Sequence, residues 1–279
     1  MIFVYSNWDK FCNKLAEKGL NSVTAKSITE KSIEGNYIVL KHDVETNVSS
    51  AYEIAKIENK YGHCGSYYVQ AYLMEEPKNI LLLKKMAAMG HEISYHHDVM
   101  DFSKGKLETA IKEYDKNVAL FENNGFKIRT VCQHGNPVIE RVGYSSNRDF
   151  FRSNRVQALY PNTLDIMVNF KEKINTDYEY FSDAGRKFKM IYDPINNDII
   201  NSDDKNIPFD NLDDLLKYIN GLNKSSIISI HPHRWTSSAC IYVIKDLIFK
   251  IIKKISKLLL HIPFMKKIMG KYYYLAKKI

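Results

Sequence analysis

The sequence has few cysteines and no long hydrophobic run. Its four cysteines are widely spaced and form no CxxC pair, which argues against a disulfide framework and suits a reducing compartment. No stretch of about eighteen apolar residues occurs, so a membrane-spanning helix is not expected. The first residues lack the basic start and the apolar stretch of a secretory signal. We therefore expect a cytoplasmic protein.

The chain also lacks a self-repeat at a period of about 20 to 50 residues, which argues against a repeat architecture. It has 279 residues, of which 45% are hydrophobic and 12% are aromatic. This is enough for one large core, or for one domain with an appendage.

Positive charge is concentrated at the C-terminal end. From Thr236 onward there are ten lysines and a single acid, Asp246, which gives that segment a net charge of +9. Because the whole chain carries +8, residues 1–235 carry about −1. This asymmetry indicates a partner specific to the tail rather than a nucleic-acid-binding domain.

Short apolar runs alternate with helical periodicities through the first 235 residues. The predicted strands are 37–45, 65–70, 91–95, 128–133, 156–160, 166–170, 178–182, 188–192 and 226–230. The predicted helices are 6–18, 47–62, 77–89, 107–125 and 211–220. Such alternation implies parallel strands, arranged in a barrel or in an open sheet.

The stretch 37–45, YIVLKHDVE, is the most informative part of the sequence. Side chains two apart on an extended backbone point the same way, so Asp43 and Glu45 can face one site together. Two carboxylates held that close are costly unless a cation or a proton lies between them. The stretch indicates a metal site, although an acidic strand end without a ligand would have the same sequence.

Polar clusters follow the last apolar residue of five predicted strands. They are His42–Glu45, His96–Asp98, His134–Asn136, Asp183–Arg186 and His231–Arg234. In a parallel α/β barrel these strand ends lie on one face, where active sites are built. The five clusters together therefore predict one site.

The ordered segments resemble the polysaccharide deacetylase superfamily, the NodB-homology or carbohydrate esterase family 4 group. The matching segments are KHDVE (41–45), GHEISYHHD (90–98), QHGNP (133–137), YFSDAGRKF (180–188) and SIHPHRW (229–235). The resemblance covers about 200 residues, 37–235, and is closest to a divergent branch with HDV followed by Asp or Glu. It implies a distorted (β/α) barrel of about seven parallel strands in residues 1–235, with a metal-assisted amide hydrolase site.

The resemblance also implies roles for individual residues. Asp43 resembles the general base, His231 the general acid, and Asp183 or Arg186 the groups that orient them. Glu45 and His96 resemble metal ligands. The candidates for substrate binding are Trp235, Asn136 and Arg234, although Trp235 is equally compatible with a plug of the barrel.

One metal ligand of the family has no counterpart here. The second metal histidine of the family lies four residues after the first, where this chain has Met100, a poor ligand. His134 or His97 can complete a Glu/His/His set, which is typical of catalytic zinc. We favour His134, because His97 adjoins His96 and neighbours on a strand point apart. The expected cofactor is a divalent metal, with zinc preferred.

These features predict a metal-dependent deacetylase-like hydrolase that acts on an acetylated sugar of surface polysaccharide metabolism. One alternative is a non-catalytic barrel that binds a saccharide or a partner and has lost part of the metal site. Another is a hydrolase that uses the His231 and His233 pair on a different substrate. A Cys132/His134 nucleophile is a further alternative.

Residues 236–279 form a predicted basic amphipathic helical tail. Apolar residues recur there at spacings of three and four, with lysines between them, and Pro263 interrupts the pattern. A cationic amphipathic helix suits an anionic membrane surface, so residues 241–279 predict peripheral attachment to the inner face of the membrane. A helix that folds against the barrel fits the same pattern.

Overall fold

The computed structural model describes residues 2–31, 33, 35–136, 139–195 and 205–259. Within these residues the chain forms one sheet of nine strands with eleven α-helices. The strands are β1 (Ile38–Val44), β2 (Gly65–Val69), β3 (Glu92–His97), β4 (Thr130–Gln133), β5 (Leu164–Asp165), β6 (Tyr178–Ser182), β7 (Lys189–Met190), β8 (Ile207–Pro208) and β9 (Ser225–Ile230). The helices are α1 (Tyr5–Glu17), α2 (Ala25–Glu30), α3 (Val48–Lys60), α4 (Pro77–Ala88), α5 (Val99–Ser103), α6 (Leu107–Asn123), α7 (Asp149–Arg152), α8 (Asn154–Leu159), α9 (Phe170–Ile174), α10 (Leu212–Gly221) and α11 (Ala239–Leu259).

The strands follow the order β5-β4-β3-β2-β1-β9-β6-β7-β8 across the sheet. Seven of the described strands pair in parallel with their neighbours, namely β1, β2, β3, β4, β5, β6 and β9. At one edge of the sheet, β7 pairs antiparallel with β6, and β8 pairs antiparallel with β7. The expectation of an α/β fold with a mostly parallel sheet is therefore confirmed. Parallel strands place their carboxyl ends at one edge of the sheet, which is where the polar clusters lie.

Strand β1 lies near the centre of the sheet and is buried along its whole length. Leu40 is in register with Gly65 of β2 on one side and with Ile228 of β9 on the other. The sequence of a strand that is covered on both faces is a nearly continuous run of apolar residues. This explains why the sequence identifies β1 clearly, and why the charges on it need buried partners.

Several helix boundaries follow from local chemistry. The side chain of Asn47 accepts a hydrogen bond from the backbone N–H of Ser50 and so caps α3. Gly62, with a φ of +76°, ends that helix in a conformation that side chains disfavour. Pro77 occupies the first turn of α4, where its missing N–H costs nothing. These helices are confirmed within a residue or two of the predicted limits.

Two predicted strands are wrong. Residues 156–160 lie mostly in α8, which buries Val156 and exposes Leu159. Residues 166–170 form a turn that leads into α9 at Phe170. The periodicity of a short apolar run does not distinguish a strand from a helix. In these two segments the chain forms a helix and a turn instead of the predicted strands. The prediction for 188–192 is confirmed only over Lys189–Met190.

The two faces of the sheet bury separate apolar clusters. The outer cluster packs the sheet against helices such as α1, α3, α4 and α6. The inner cluster gathers Val39 of β1, Cys132 of β4 and Tyr180 of β6. The hydroxyl of Tyr178 in β6 also lies 3.4 Å from the carbonyl oxygen of Ile166, which directly follows β5. Because β5 and β6 are far apart in the strand order, the sheet must be strongly curved.

Beneath the outer face lies a buried network centred on Glu58. Its carboxylate accepts hydrogen bonds from the indole of Trp8, at 3.1 Å, and from the hydroxyl of Tyr67, at 2.8 Å. Nε2 of His42 lies 2.8 Å from the same carboxylate. Burial would raise the pKa of Glu58, but His42 and the hydrogen bonds outweigh it and hold the pKa below its usual value. This network joins α1, β1, β2 and α3.

The described part of the predicted tail is the helix α11. Its Tyr242 is buried and packs edge-on against Phe3, with 5.8 Å between the ring centroids. Within the described residues, no helix is both long enough and apolar enough to cross a bilayer. Residues 260–279, with Pro263 and the last five lysines of the predicted tail, lie outside the described residues.

Replacement of Glu58 by glutamine should destabilise the fold by about 2 kcal/mol or more, because buried donors lose a charged acceptor. The matched control is Glu53→Gln, since Glu53 lies on the same helix and is about half exposed. We expect that control to stay within about 0.5 kcal/mol of the parent chain. Urea unfolding followed by circular dichroism measures both, and equal free energies of unfolding would contradict the role given to Glu58.

Candidate metal centre

Three buried side chains from three strand ends converge on one point. Glu45 directly follows β1, His96 lies in β3, and His134 directly follows β4. One ligand atom from each lies within 4.8 Å of the other two. A carboxylate oxygen and two imidazole nitrogens form a donor set that binds divalent transition metals, zinc in particular. The residues therefore fit a metal ion.

The orientation of the rings favours binding through Nε2. Nδ1 of His96 lies 3.0 Å from the carbonyl oxygen of Cys132, so Nδ1–H donates to it and Nε2 keeps its lone pair. Nε2 of His96 lies 3.9 Å from Oε1 of Glu45, and Nε2 of His134 lies 3.3 Å from the same oxygen. Both nitrogens thus face the carboxylate across a space that one cation can bridge.

A separate hydrogen-bond network holds the loop that carries His134. The backbone N–H of His134 donates to the carbonyl oxygen of His97 at 2.7 Å, and its own carbonyl accepts from the amide of Asn147 at 2.7 Å. Asn147 also bonds to Asp101 at 2.8 Å, and Arg141 grips Asp101 through two bonds of 2.8 and 2.9 Å. The bidentate geometry makes this a stiff support for the loop.

Asp43 lies beside the metal group and forms a buried ion pair with Lys41. Nζ of Lys41 is 2.5 and 2.7 Å from the two carboxylate oxygens, and it also donates to the hydroxyl of Ser229 at 3.3 Å. Burial alone would raise the pKa of Asp43, yet the ammonium and the neighbouring imidazoles hold it far below its usual range. Burial alone would lower the pKa of Lys41, but Asp43, together with Cys132 and Tyr180, outweighs burial and raises it. Both groups are charged at neutral pH.

His231 is held on the other side of Asp43 by Asp183. Nδ1 of His231 lies 2.5 Å from Oδ1 of Asp183, and the backbone N–H of His231 donates to Oδ2 at 3.0 Å. Although burial raises the pKa of Asp183, His231 and Arg234 lower it below its usual value, so Asp183 is ionised. Nε2 of His231 lies 3.8 Å from Oδ2 of Asp43. His231 therefore bridges two carboxylates.

Other predicted site residues lie elsewhere. Trp235 is 1% exposed, stacks on Phe3 with 5.1 Å between centroids, and donates to Asp183 at 3.3 Å. A sugar cannot stack on a buried ring, so the expectation that Trp235 is a substrate platform is wrong; the ring belongs to the outer apolar cluster, against Phe3 and Trp8. The guanidinium of Arg186 lies 4.5 Å from the ring of Phe249 in α11. Among the described residues it makes no hydrogen bond to Asp43 or His231, so Asp183 alone has the geometry of an orienting group.

The two remaining candidates for substrate binding take part in the framework. Arg234 donates to both the carbonyl oxygen, at 2.8 Å, and the carboxylate, at 3.0 Å, of Asp183. The carbonyl oxygen of Asn136 accepts from Arg141 at 3.0 Å. Both therefore help to position the site, whatever their contact with a substrate. Pro137, the last residue of the QHGNP segment, lies outside the described residues.

The side chains considered as alternative metal ligands make other contacts. Nε2 of His97 lies 2.8 Å from Asp165 on the opposite side of β3, as the alternation of a strand requires. Met100 is buried in the outer apolar cluster. Burial lowers the pKa of His233 to about 3, against the opposing charge of Glu45, so its imidazole is neutral. His233 lies near the site but outside the three-residue metal group.

The cysteine nucleophile is disfavoured. Cys132 belongs with Asp43 and His96 to a second group whose ligand atoms lie within 4.8 Å of one another. Burial raises the pKa of its thiol well above the usual range, and the nearby Lys41 does not offset this. A thiol that stays protonated is a poor nucleophile.

Sequence reasoning missed Lys41 and the support formed by Asp101, Arg141 and Asn147. A signal existed for Lys41, because it precedes Asp43 by two residues on a strand and therefore shares its face. No local signal identified the other three residues, since they are far apart in the chain.

The site thus combines a Glu/His/His donor set with an ionised aspartate and a carboxylate-bound histidine. No family model, no curated protein and no solved structure matches this chain.

The purified chain should bind one equivalent of Co²⁺ or Zn²⁺. Glu45→Gln, His96→Ala and His134→Ala should each weaken binding by more than the roughly 10–100-fold that loss of an outer hydrogen-bond partner costs. Titration with Co²⁺, followed by its visible absorption, measures both affinity and coordination. Met100→Leu is the matched control and should bind as the parent does. Unchanged affinity in His134→Ala would place the third ligand elsewhere.

Proposed function

We propose that this protein is a metal-dependent deacetylase-like hydrolase that acts on an acetylated sugar or glycan intermediate. The observation that carries the proposal is the meeting of a Glu/His/His group with two acid–base pairs, Lys41–Asp43 and Asp183–His231. The resemblance of the five strand-end segments to polysaccharide deacetylases supports the same activity. Surface polysaccharide metabolism is the process we assign to it.

The architecture proposed with this function is a distorted (β/α) barrel. The seven parallel strands support it, as does the contact between Tyr178 of β6 and Ile166 beside β5. A sheet curved in this way brings the carboxyl ends of β1, β3, β4 and β9 around one site.

A divalent cation, preferably zinc, would be held by Glu45, His96 and His134, and it supplies Lewis acidity toward an acetyl carbonyl and the attacking water. Asp43 is the group that takes the proton of that water. It is ionised at neutral pH, and Lys41 fixes its carboxylate on the side of β1 that also bears Glu45. The Lys41 ammonium lowers the basicity of the Asp43 carboxylate, and its hydrogen bonds fix the orientation of that carboxylate.

His231 is the group that protonates the departing amine or alcohol. Its Nδ1–H is held by Asp183, which leaves Nε2 directed toward Asp43 and the site. Asp183 also accepts from Arg234 and from the indole of Trp235, so it cannot turn away from the imidazole. An imidazole fixed in this way can give up a proton at Nε2 and take one back between turnovers.

We expect the metal-loaded protein to release acetate from an N- or O-acetylated sugar. Asp43→Asn and His231→Ala should each lower kcat by about 10²- to 10⁴-fold, the usual contribution of a positioned acid or base. Acetate measured by a coupled assay gives the rate. Met100→Leu is the control with an unchanged rate.

The outcomes of this assay separate the alternatives. Acetate release that persists in both variants would contradict the assigned acid and base. Metal binding without acetate release from any acetylated sugar would instead favour a non-catalytic saccharide-binding barrel.

Replacement of Lys41 by methionine tests the ion pair through pH. Lys41 stabilises the charged form of Asp43, so its loss should raise the pKa of that carboxyl. Activity should then be lost at a higher pH on acidification than in the parent chain, and Lys41→Arg should restore the parent behaviour in part. Carbon-13 NMR of the Asp43 carboxyl measures the same pKa and does not depend on catalytic activity. An unmoved carboxyl titration in a folded Lys41→Met chain would contradict the pairing.

A further inference from the structure

The last described helix, α11, is attached to the rest of the protein along one side. Tyr242 packs against Phe3, and the guanidinium of Arg186 lies over the ring of Phe249. Asp246 lies on the same side and is 18% exposed. These three helix residues are spaced by four and three, so they define a single attached face.

The opposite side of α11 is apolar and exposed. It carries Ile241, Val243, Ile244, Leu247, Ile248, Ile251 and Ile255, each between 39% and 59% exposed. Their spacing places them on one continuous stripe along the helix. We call this stripe the outer face of α11. A helix usually turns its apolar side to the core, whereas α11 turns a long apolar side away from it.

Lysines accompany the outer face. Lys245 and Lys254 lie on the described part of the helix, Lys250 pairs with Asp246 at 2.7 Å, and residues 236–279 together carry a net charge of +9. An apolar stripe with lysines beside it matches a bilayer surface that contains anionic lipids, where apolar side chains enter the acyl boundary and ammonium groups reach phosphates.

Other occupants fit less well. A second copy of this chain would bring two strongly basic tails together, and like charges oppose that contact. Insertion across the bilayer is also disfavoured, because none of the described helices is long and apolar enough for it.

From the exposed outer face and the accompanying lysines we propose that α11 docks flat on an anionic lipid surface. Docking needs no change in the described fold, because the attached face of α11 stays on Phe3 and Arg186. The proposal does not depend on the catalytic one, since it concerns a different face of the molecule.

Vesicle flotation of the full chain tests this proposal. The chain should float with vesicles of phosphatidylcholine mixed with phosphatidylglycerol, float less with phosphatidylcholine alone, and be released by raised salt. The double variant Leu247→Glu and Ile251→Glu should lower the partition coefficient by about tenfold or more, because two apolar anchors are lost.

The matched control is Leu81→Glu. Leu81 lies on the helix α4 and is 56% exposed, against 58% for Leu247. This control should float as the parent does, and thermal unfolding should be the same for all three chains. Failure of the parent chain to float with the mixed vesicles would overturn the proposal, as would equal flotation of the double variant. A dimer seen by equilibrium sedimentation, broken by the double variant and without flotation, would assign the outer face to a second copy.

Discussion

The alternation of side chains along the buried strand β1 is the constraint on which the rest of the structure depends. Lys41, Asp43 and Glu45 point to the inner side of the sheet, whereas His42 points to the outer side. Water reaches none of these groups freely, so each needs a protein partner or a ligand. Lys41 compensates Asp43, and Glu58 compensates His42. A slip of one residue in register would exchange the two sides and separate these buried polar groups from their partners.

The site depends on bringing strand ends together in an order that differs from the chain order. Strand β9, near the end of the fold, lies beside β1, which places His231 near Asp43. Strands β3 and β4 lie on the other side and supply His96 and His134. His231 therefore approaches Asp43 from one side of the central strand, and His96 and His134 approach Glu45 from the other. This arrangement of side chains on the two sides of β1 follows from the strand order.

Rigidity of the site comes from residues that hold its side chains and loops in place. Asp183 binds His231 and is itself held by Arg234 and Trp235. The loop of His134 is tied by an Asn–Asp–Arg network. Such outer partners set the orientation of a ligand or a base, and they explain why so many polar groups are buried around a small site.

Local sequence determined the α/β character, most helix limits, the position of β1 and the polar strand ends, because periodicity records which face of an element is buried. The preference for His134 over His97 also followed from the alternation of a strand. Tertiary structure decided that Lys41 pairs with Asp43, that Trp235 is enclosed, that residues 156–159 lie in a helix, and that residues 166–169 form a turn. These outcomes depend on strand register and on contacts between distant segments, and the spacing of neighbouring residues carries no record of either.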